Sequence, residues 1–320
     1  FYVAFPTLGG PTDKMQIRSI MDGILIIDKP AGITSHDVVA RVRRILRTKR
    51  VGHTGTLDPF ATGVMVVLVG KATRLAQFLD KDEKKYEADV RFGFETDTGD
   101  RTGSPKSKVQ SPRSLSVEDV LAVLEDFRGE IEQTPPMYSA KKVDGKKLYE
   151  HARKGETIER KPVSVTIYKL EVISELMATD LGPGTWDLGI KVACSAGTYI
   201  RTLAEDIGRK VGVGAHLAEL RRTRAGRFDL SRSITLEDLD KLAEPATRLM
   251  RMEEAVEHLT PFTLTPDRVQ KTAGGLSTRV YESQFADGQP IRMLDESENL
   301  IAVGFYEDSE NSIRPKVVLV

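Results

Sequence analysis

Asp58 is the residue of this sequence whose surroundings best suit chemistry. It lies in VGHTGTLDPFATGVMVVLVG (51–70), where glycines, threonines and a histidine precede it and an apolar run follows. The proline after Asp58 favours an extended backbone at the aspartate, and Gly52, Gly55 and Gly63 permit close backbone approaches. Such a loop could present one carboxylate at the rim of a cleft as a base or nucleophile. Asp, Pro and Gly are equally common in ordinary turns, so the pattern alone leaves both interpretations open.

Sequence motifs for several other chemistries are missing. We find no Walker lysine loop, no GxGxxG after a strand, no HExxH, no CxxC and no GxSxG. The five histidines are too dispersed to predict a metal site, and the single cysteine, Cys194, excludes an internal disulfide. We therefore expect neither a cofactor nor a metal, and a cytoplasmic location.

The elements around Asp58 can be predicted from periodicity. GILIIDKP (23–30) and the apolar run 64–69 favour buried strands, and 86–94 alternates as a strand does. Thr34 and Asp37 form a capping-box pattern before an amphipathic helix. TYIRTLAEDIGRKVG (198–212) predicts a helix that ends at its last glycine.

Strands and helices that mix without regular βαβ alternation favour an α+β fold. We predict a main domain over 21–250, with a polar, lysine-rich excursion at about 134–160, and a small β-rich domain over 258–320. Residues 1–20 are interpreted as a tail without the pattern of a signal peptide. No window approaches the roughly 18 apolar residues of a membrane span.

The formal net charge of zero hides an uneven distribution. The first 228 residues carry 37 basic and 30 acidic side chains, and the remainder carries 10 and 17. Six of the ten residues in RVRRILRTKR (41–50) and four of the seven in RRTRAGR (221–227) are basic. One such cluster is usually a solvated face, but two beside a candidate active site favour a nucleic-acid partner.

Six segments in the same order resemble the bacterial tRNA pseudouridine 55 synthases, the TruB-type family. Besides the Asp58 loop (52–74), they are DKPAGITSHDVV (28–39), KKYEADVRFGFETDTGD (84–100), PPMYSAKKVDGKKLYEHARKG (135–155), SAGTYIRTLAEDIG (195–208) and GAHLAELRRTRAGRF (214–228). The resemblance implies a catalytic domain with a mixed, mainly antiparallel sheet, and identifies the excursion as an RNA-clamping insertion. From about residue 262 it weakens to a likeness to PUA-type RNA-binding domains.

The resemblance also implies roles for individual residues. Asp58 matches the essential aspartate, Arg201 the arginine that pairs with it, and Tyr86 the aromatic residue that stacks on the extracted uracil and acts as a base late in the reaction. A further set is expected to contact RNA: His53, Lys29, Arg50, Lys141, Lys142, Leu217, Arg221 and Arg222. Leu220 is an alternative to Leu217 for packing against the flipped base.

The expected activity is isomerisation of the T-loop uridine 55 of tRNA to pseudouridine, with base flipping and without a cofactor or metal. A monomer that binds the T-arm is the simplest assembly. Two alternatives stay open: a guide-RNA-dependent pseudouridine synthase, and a catalytically dispensable tRNA-binding or folding protein.

Overall fold

A computed structural model of the chain describes residues 21–80, 82–108, 114–139, 142–143, 145–148, 151, 155–156, 158–181, 184–281 and 285–320. The predicted tail 1–20 lies outside the described residues. The α-helices that we number are α1 (Ser35–Ile45), α2 (Val117–Leu124), α3 (Ile200–Val211), α4 (Leu236–Lys241), α5 (Met252–Ala255) and α6 (Pro266–Ala273).

The strands alternate with these helices irregularly along the chain. They are β1 (Gly23–Lys29), β2 (Val51–Thr54), β3 (Thr62–Val69), β4 (Lys84–Phe92), β5 (Phe94–Thr96), β6 (Pro105–Lys108), β7 (Gly129–Gln133), β8 (Lys142–Val143), β9 (Lys146–Lys147), β10 (Val163–Val172), β11 (Met177–Ala178), β12 (Trp186–Cys194), β13 (Ala215–Ala225), β14 (Phe228–Asp229), β15 (Thr260–Thr263), β16 (Thr278–Arg279), β17 (Pro290–Leu294), β18 (Leu300–Glu307) and β19 (Ser312–Val318).

The main sheet has the strand order β1-β3-β13-β4-β12-β10-β7, and β2, β11 and β14 pair at its sides. Its neighbouring strands are antiparallel except for a short parallel contact between β3 and β13. This confirms the predicted α+β class and the mainly antiparallel sheet. The strand predicted at 86–94 is observed two residues earlier, as β4.

The alternation of β4 determines which side chains face the core. Lys84, Tyr86, Ala88, Val90 and Phe92 lie on its buried face. Helix α3 packs on this face through an apolar stripe, as its predicted amphipathic pattern requires. Tyr86 therefore lies on the face of the sheet that α3 covers.

A five-stranded sheet, β15-β17-β18-β19-β16, forms the C-terminal part of the chain. It confirms the predicted β-rich character of this region. The sheet has an apolar cluster of its own around Ile291. A second cluster joins it to the main sheet, because Leu300 and Val317 belong to the same buried group as Ile24 and Val64. The two sheets thus stabilise each other.

None of the helices in the described ranges is long and apolar enough to cross a membrane.

Candidate active site

Asp58 lies in the loop that joins β2 to β3. Strand β3 pairs with β1 along one side, while β13 and β2 share its other side at opposite ends. The contact with β13 requires glycine at position 63, since a Cβ there would lie 2.2 Å from the Arg222 carbonyl oxygen and φ is +101°. The loop therefore leaves the sheet next to β13, at the edge of a cleft.

Side chains from three other segments hold the backbone of this loop. The Lys29 amine donates to the carbonyls of Pro59 and Ala61, at 3.2 and 2.7 Å. The Ser35 hydroxyl, at the start of α1, donates to the Leu57 carbonyl and accepts from the Leu57 amide. Because each contact fixes main-chain atoms, the position of the carboxylate is set before any substrate arrives.

Arg222 holds the loop from the opposite side. Its guanidinium donates to the carbonyl oxygens of Val64 and Gly55, at 2.7 and 2.9 Å, and the side chain is almost fully buried. One buried and one partly buried carbonyl thereby obtain donors from one cation.

Arg201 pairs with Asp58 through two atoms of each side chain. Its Nε lies 2.8 Å from Oδ2 of Asp58, and its Nη2 lies 3.1 Å from Oδ1. The Arg201 side chain is 5% exposed, whereas that of Asp58 is 31% exposed. The guanidinium therefore orients a carboxylate that a substrate can still reach.

The first turn of α3 places Arg201 at this point. Tyr199 precedes the helix without a side-chain cap, and Gln133 of β7 takes that function by accepting from the Tyr199 amide at 2.9 Å. The remaining donors of Arg201 bind the carbonyls of Thr98 and Tyr138, at 2.8 and 2.7 Å. A buried arginine whose donors are satisfied in this way is held rigidly.

Tyr86 lines a cleft of about 230 Å³ together with Asp58, Arg201, Leu220 and Arg222. The cleft thus combines an aromatic ring, an aliphatic side chain, a carboxylate and two guanidinium groups. It can enclose a flat polar ring that stacks on the tyrosine while the carboxylate contacts its substituent.

Burial changes the ionisation of Asp58 and Tyr86 in this cleft. It raises the pKa of the Asp58 carboxyl, and the neighbouring Arg201 guanidinium is the main opposing influence. It also raises the pKa of the Tyr86 hydroxyl, against the effect of Arg222. A phenol with a raised pKa stays protonated near neutral pH, which suits it to stacking and hydrogen-bond donation.

A second cleft of about 340 Å³ meets the first at Asp58 and Arg201. Its walls include His36, Phe60 and Tyr138. His53, predicted to contact RNA, lies on β2 with its ring centroid 5.9 Å from that of His36, in an edge-to-face arrangement. The carboxylate is therefore reachable from two connected spaces.

Three residues predicted to contact RNA are buried in the structure. Lys29 and Leu217 have no exposed surface, and Arg222 is 1% exposed. The two cations are engaged by loop carbonyls and Leu217 by the core, because strand positions facing the interior cannot present a side chain to solvent. Leu220, the alternative to Leu217, lines the cleft.

The other predicted RNA contacts have varied surroundings. Arg221 is partly exposed and forms an ion pair with Asp28, with Nη2 2.7 Å from Oδ2. Arg50 is exposed and donates to the Thr73 hydroxyl at 3.0 Å. Lys142 belongs to β8, which pairs with β9, and Lys141 lies outside the described residues.

Sequence reasoning missed Asp100, Ser35 and Lys84 as parts of the site, the last of which lines the cleft beside Tyr86. Asp100 is 4% exposed, accepts hydrogen bonds from Thr98 and Thr102, and has Oδ2 3.9 Å from Nη1 of Arg201. The turn DTGDRTG contains it, but turn chemistry explains aspartates there equally well. Its relation to Arg201 depends on contacts between distant segments, so no local signal could have shown it.

Within the described residues, no group of three or more His, Cys, Asp or Glu side chains could hold a metal ion.

Two family models match consecutive parts of the chain. The TruB family pseudouridylate synthase N-terminal domain matches residues 43–200, and the tRNA pseudouridylate synthase B C-terminal domain matches residues 201–261. Both Asp58 and Tyr86 fall in the first match and Arg201 opens the second.

The chain is also similar to several relatives named tRNA pseudouridine synthase B. The protein of Geobacillus thermodenitrificans is 44% identical over 263 residues, which cover 81% of this chain and 86% of that protein. The protein of Solibacter usitatus is 49% identical over 223 residues, 70% of this chain and 73% of that protein. The protein of Bacillus subtilis is 37% identical and covers 94% of this chain and 98% of its own length.

Solved structures give the same fold at lower identity. A chain of an H/ACA RNP bound to a substrate RNA containing 2′-deoxyuridine aligns with a TM-score of 0.71 and 27% identity, covering 94% of this chain and 86% of that chain. A chain of a Cbf5-Nop10-Gar1 complex aligns with the same TM-score and coverage, at 28% identity.

Proposed function

Because the chain belongs to the TruB family of pseudouridylate synthases, we propose that it isomerises uridine 55 in the T-loop of tRNA to pseudouridine. The observation that carries this proposal is the cleft in which Arg201 orients the Asp58 carboxylate beside Tyr86. The names of the relatives supply the tRNA substrate, and the geometry supplies the groups that the reaction needs.

The reaction is an isomerisation, so its atoms balance without a co-reactant. The N1–C1′ bond breaks, the uracil turns, C5 bonds to C1′, and the proton lost from C5 is balanced by one gained at N1. Asp58 is proposed as the group that starts bond cleavage, either as a nucleophile or as a base at C2′. Both routes need an ionised carboxylate.

Arg201 supports this requirement by opposing the effect of burial on the pKa of Asp58. Its side chain stays bound to the protein through Thr98 and Tyr138. We propose that Arg201 positions the Asp58 carboxylate and keeps it ionised. The exposed part of the carboxylate then contacts the nucleoside.

Tyr86 is proposed to stack on the extracted uracil. Its raised pKa fits a hydroxyl that donates a hydrogen bond. A function as a base would require the phenol to lose its proton first, which burial opposes. We therefore favour stacking as its main contribution, with Leu220 on another wall of the same cleft.

The target base must leave its loop before it can enter this cleft. Unstacking costs a few kcal/mol, and contacts to the RNA backbone can offset it. We propose that the insertion at 134–160 supplies part of these contacts, since Tyr138 lines the second cleft next to Asp58.

The guide-RNA-dependent alternative is less favoured. The chain is 44% and 49% identical to two tRNA pseudouridine synthase B proteins, but only 27–28% identical to the chains from the H/ACA and Cbf5 complexes. We propose that the protein acts as a cytoplasmic monomer on tRNA alone.

Incubation of the purified protein with unmodified tRNA transcript tests this function, with mapping of pseudouridine at single-nucleotide resolution. We expect modification at position 55 without added guide RNA. Asp58→Asn should abolish it and keep tRNA affinity within about tenfold. Modification by Asp58→Asn at the wild-type rate would contradict the proposed chemistry, and full tRNA binding without any product in the wild type would favour a folding protein.

A further inference from the structure

The C-terminal end of α1 carries an arginine at a backbone position that favours glycine. The Arg47 amide donates to the Arg44 carbonyl, and the Thr48 amide donates to the Arg43 carbonyl. These two bonds define a Schellman motif, in which the residue after the cap is left-handed. Arg47 is that residue, with φ of +49°.

Helix α3 ends in a comparable turn, with glycine at the equivalent point. Gly212 has φ of +89°, its amide donates to the Arg209 carbonyl, and the Val213 amide donates to the Gly208 carbonyl. Glycine takes this conformation without the strain that a Cβ introduces. An arginine at the same position therefore has an unfavourable backbone, which indicates that its side chain serves a purpose.

Stabilisation of the helix end does not account for Arg47. Arg43 and Arg44 already lie in the last turn, where positive charge favours the helix dipole. Arg43 in addition donates to the Val51 carbonyl at 2.9 Å. One more cation just beyond the helix adds little to this effect.

The charges next to Arg47 are also available to a ligand. The side chains of Arg44, Arg47 and Lys49 are exposed, and they form no ion pair or hydrogen bond with any other described residue. Together with Arg43 and Thr48 they line a shallow depression of about 500 Å³. We call Arg44, Arg47 and Lys49 the α1 basic patch.

The position of the patch relates it to the candidate active site. Helix α1 begins at Ser35, which is hydrogen-bonded to the Asp58 loop, and its eleven residues span about 16 Å. Strand β2 then leads from the patch back into the same loop. One rigid element thus fixes the distance between the patch and the carboxylate.

We propose that the α1 basic patch binds backbone phosphates of the tRNA arm whose loop occupies the site at Asp58. This proposal rests on the proposed function for the identity of the RNA. Exposed cations without protein partners attract a polyanion most strongly, and release of its counterions drives binding. The strained arginine is retained because glycine would improve the turn but remove a phosphate contact.

Arg47→Gly tests the proposal through two measurements, the thermal stability of the protein and the salt dependence of its tRNA affinity. The stability should increase while the salt dependence weakens. We expect the melting temperature to rise by about 1–3 °C. Log affinity for unmodified tRNA decreases linearly with log salt, and we call the magnitude of this decrease the salt slope. The salt slope should fall by roughly 0.7–0.9, which corresponds to the loss of one phosphate contact. Arg47→Lys should keep the slope of the wild type.

Two further variants complete the test. The triple variant Arg44→Gln, Arg47→Asn, Lys49→Gln should lower the slope by roughly 2–3. Arg41→Gln is the matched control on the same helix, since Arg41 already pairs with Glu237 at 3.3 Å. Asn is used at position 47 because it tolerates the left-handed conformation.

The results separate this proposal from the proposed function. An unchanged salt slope in both Arg47→Gly and the triple variant would overturn the patch, even if pseudouridine forms normally. A reduced slope supports the patch, even if the wild type makes no pseudouridine. A slope that falls equally in Arg41→Gln would show a general charge effect and would also overturn the proposal.

Discussion

The two arginine-rich segments of the chain, 41–50 and 221–227, look alike in sequence but differ in what their side chains contact. In the second segment, Arg222 is buried against loop carbonyls and Arg221 pairs with Asp28. Arg224 donates to the Gly226 carbonyl, and Arg227 to that of Glu254. In the first segment, the α1 basic patch has no protein partner within the described ranges.

The difference follows from the elements that carry the charges. A strand near the centre of a sheet turns alternate residues inward, so β13 must satisfy Arg222 within the protein. The end of a surface helix leaves its polar face in water. A count of basic residues therefore does not show whether they stabilise the fold or bind RNA. The contacts of each basic side chain distinguish the two functions.

Arg201→Ala should produce the largest effect among the buried cations. We expect a rate loss of at least about 100-fold, because the carboxylate loses its orienting partner. The pKa of Asp58, already raised by burial, should rise further without the guanidinium. Since activity needs the ionised form, the acid limb of the pH–rate profile should move to higher pH.

A pH series of single-turnover rates measures this shift, with tRNA affinity at several salt concentrations as the control. A lower salt slope with an unmoved acid limb would place Arg201 among the RNA-binding cations. It would contradict the distinction between buried cations that hold the protein and exposed cations that bind RNA.

Arg222→Ala should come next. It leaves the Gly55 and Val64 carbonyls without donors, which costs about 2–4 kcal/mol of the free energy of unfolding. The loop should lose its fixed position, and the rate should fall by about tenfold to 100-fold because the carboxylate is misplaced. Thermal or urea denaturation measures the first effect. An unchanged stability combined with a lower salt slope would show that Arg222 reaches RNA after all.

Arg221→Ala should have a smaller effect. Its pair with Asp28 is partly exposed, so we expect a change in stability of about 0–1 kcal/mol. The salt slope for tRNA should stay constant if the pair persists in the complex. A drop of roughly 0.7–0.9 would instead indicate that Arg221 leaves Asp28 to bind a phosphate.

Tyr86→Phe should change least. The ring that stacks is kept, so tRNA affinity should match the wild type, and the rate should fall only modestly if the hydroxyl donates a single hydrogen bond. Tyr86→Leu is the informative companion, because loss of stacking is worth roughly 1–3 kcal/mol per base. A complete loss of product with Tyr86→Phe would show that the reaction requires the hydroxyl, as expected if Tyr86 acts as a base.

The sequence predicted what depends on local pattern. The amphipathic helix that ends at Gly212, the alternation of β4 and the capping box at Thr34 are all observed, because periodicity and caps act within a few residues. The cleft itself depends on contacts such as Arg201 with Asp58, 143 residues apart. Their prediction rested on the resemblance to a family.

Burial was the property that the sequence revealed least well. Lys29 and Arg222 read as RNA-binding cations, yet both donate to carbonyls around the Asp58 loop. Burial lowers the pKa of Lys29 to about 8, which no linear pattern around the residue indicates. The C-terminal residues were predicted to form a small separate β-rich domain, and the apolar cluster that they share with the main sheet appears only when β18 packs near β1.

That shared cluster has a consequence for how the chain folds during synthesis. Ile24 and Leu319 belong to one buried group, although 295 positions separate them. At roughly 5–20 residues per second, about 15–60 s pass between the emergence of the two. Throughout that interval, the apolar surface of β1 and β3 that packs against the C-terminal residues stays exposed. Contacts of such long sequence separation slow folding, so we expect the nascent chain to depend on chaperones until β19 leaves the ribosome.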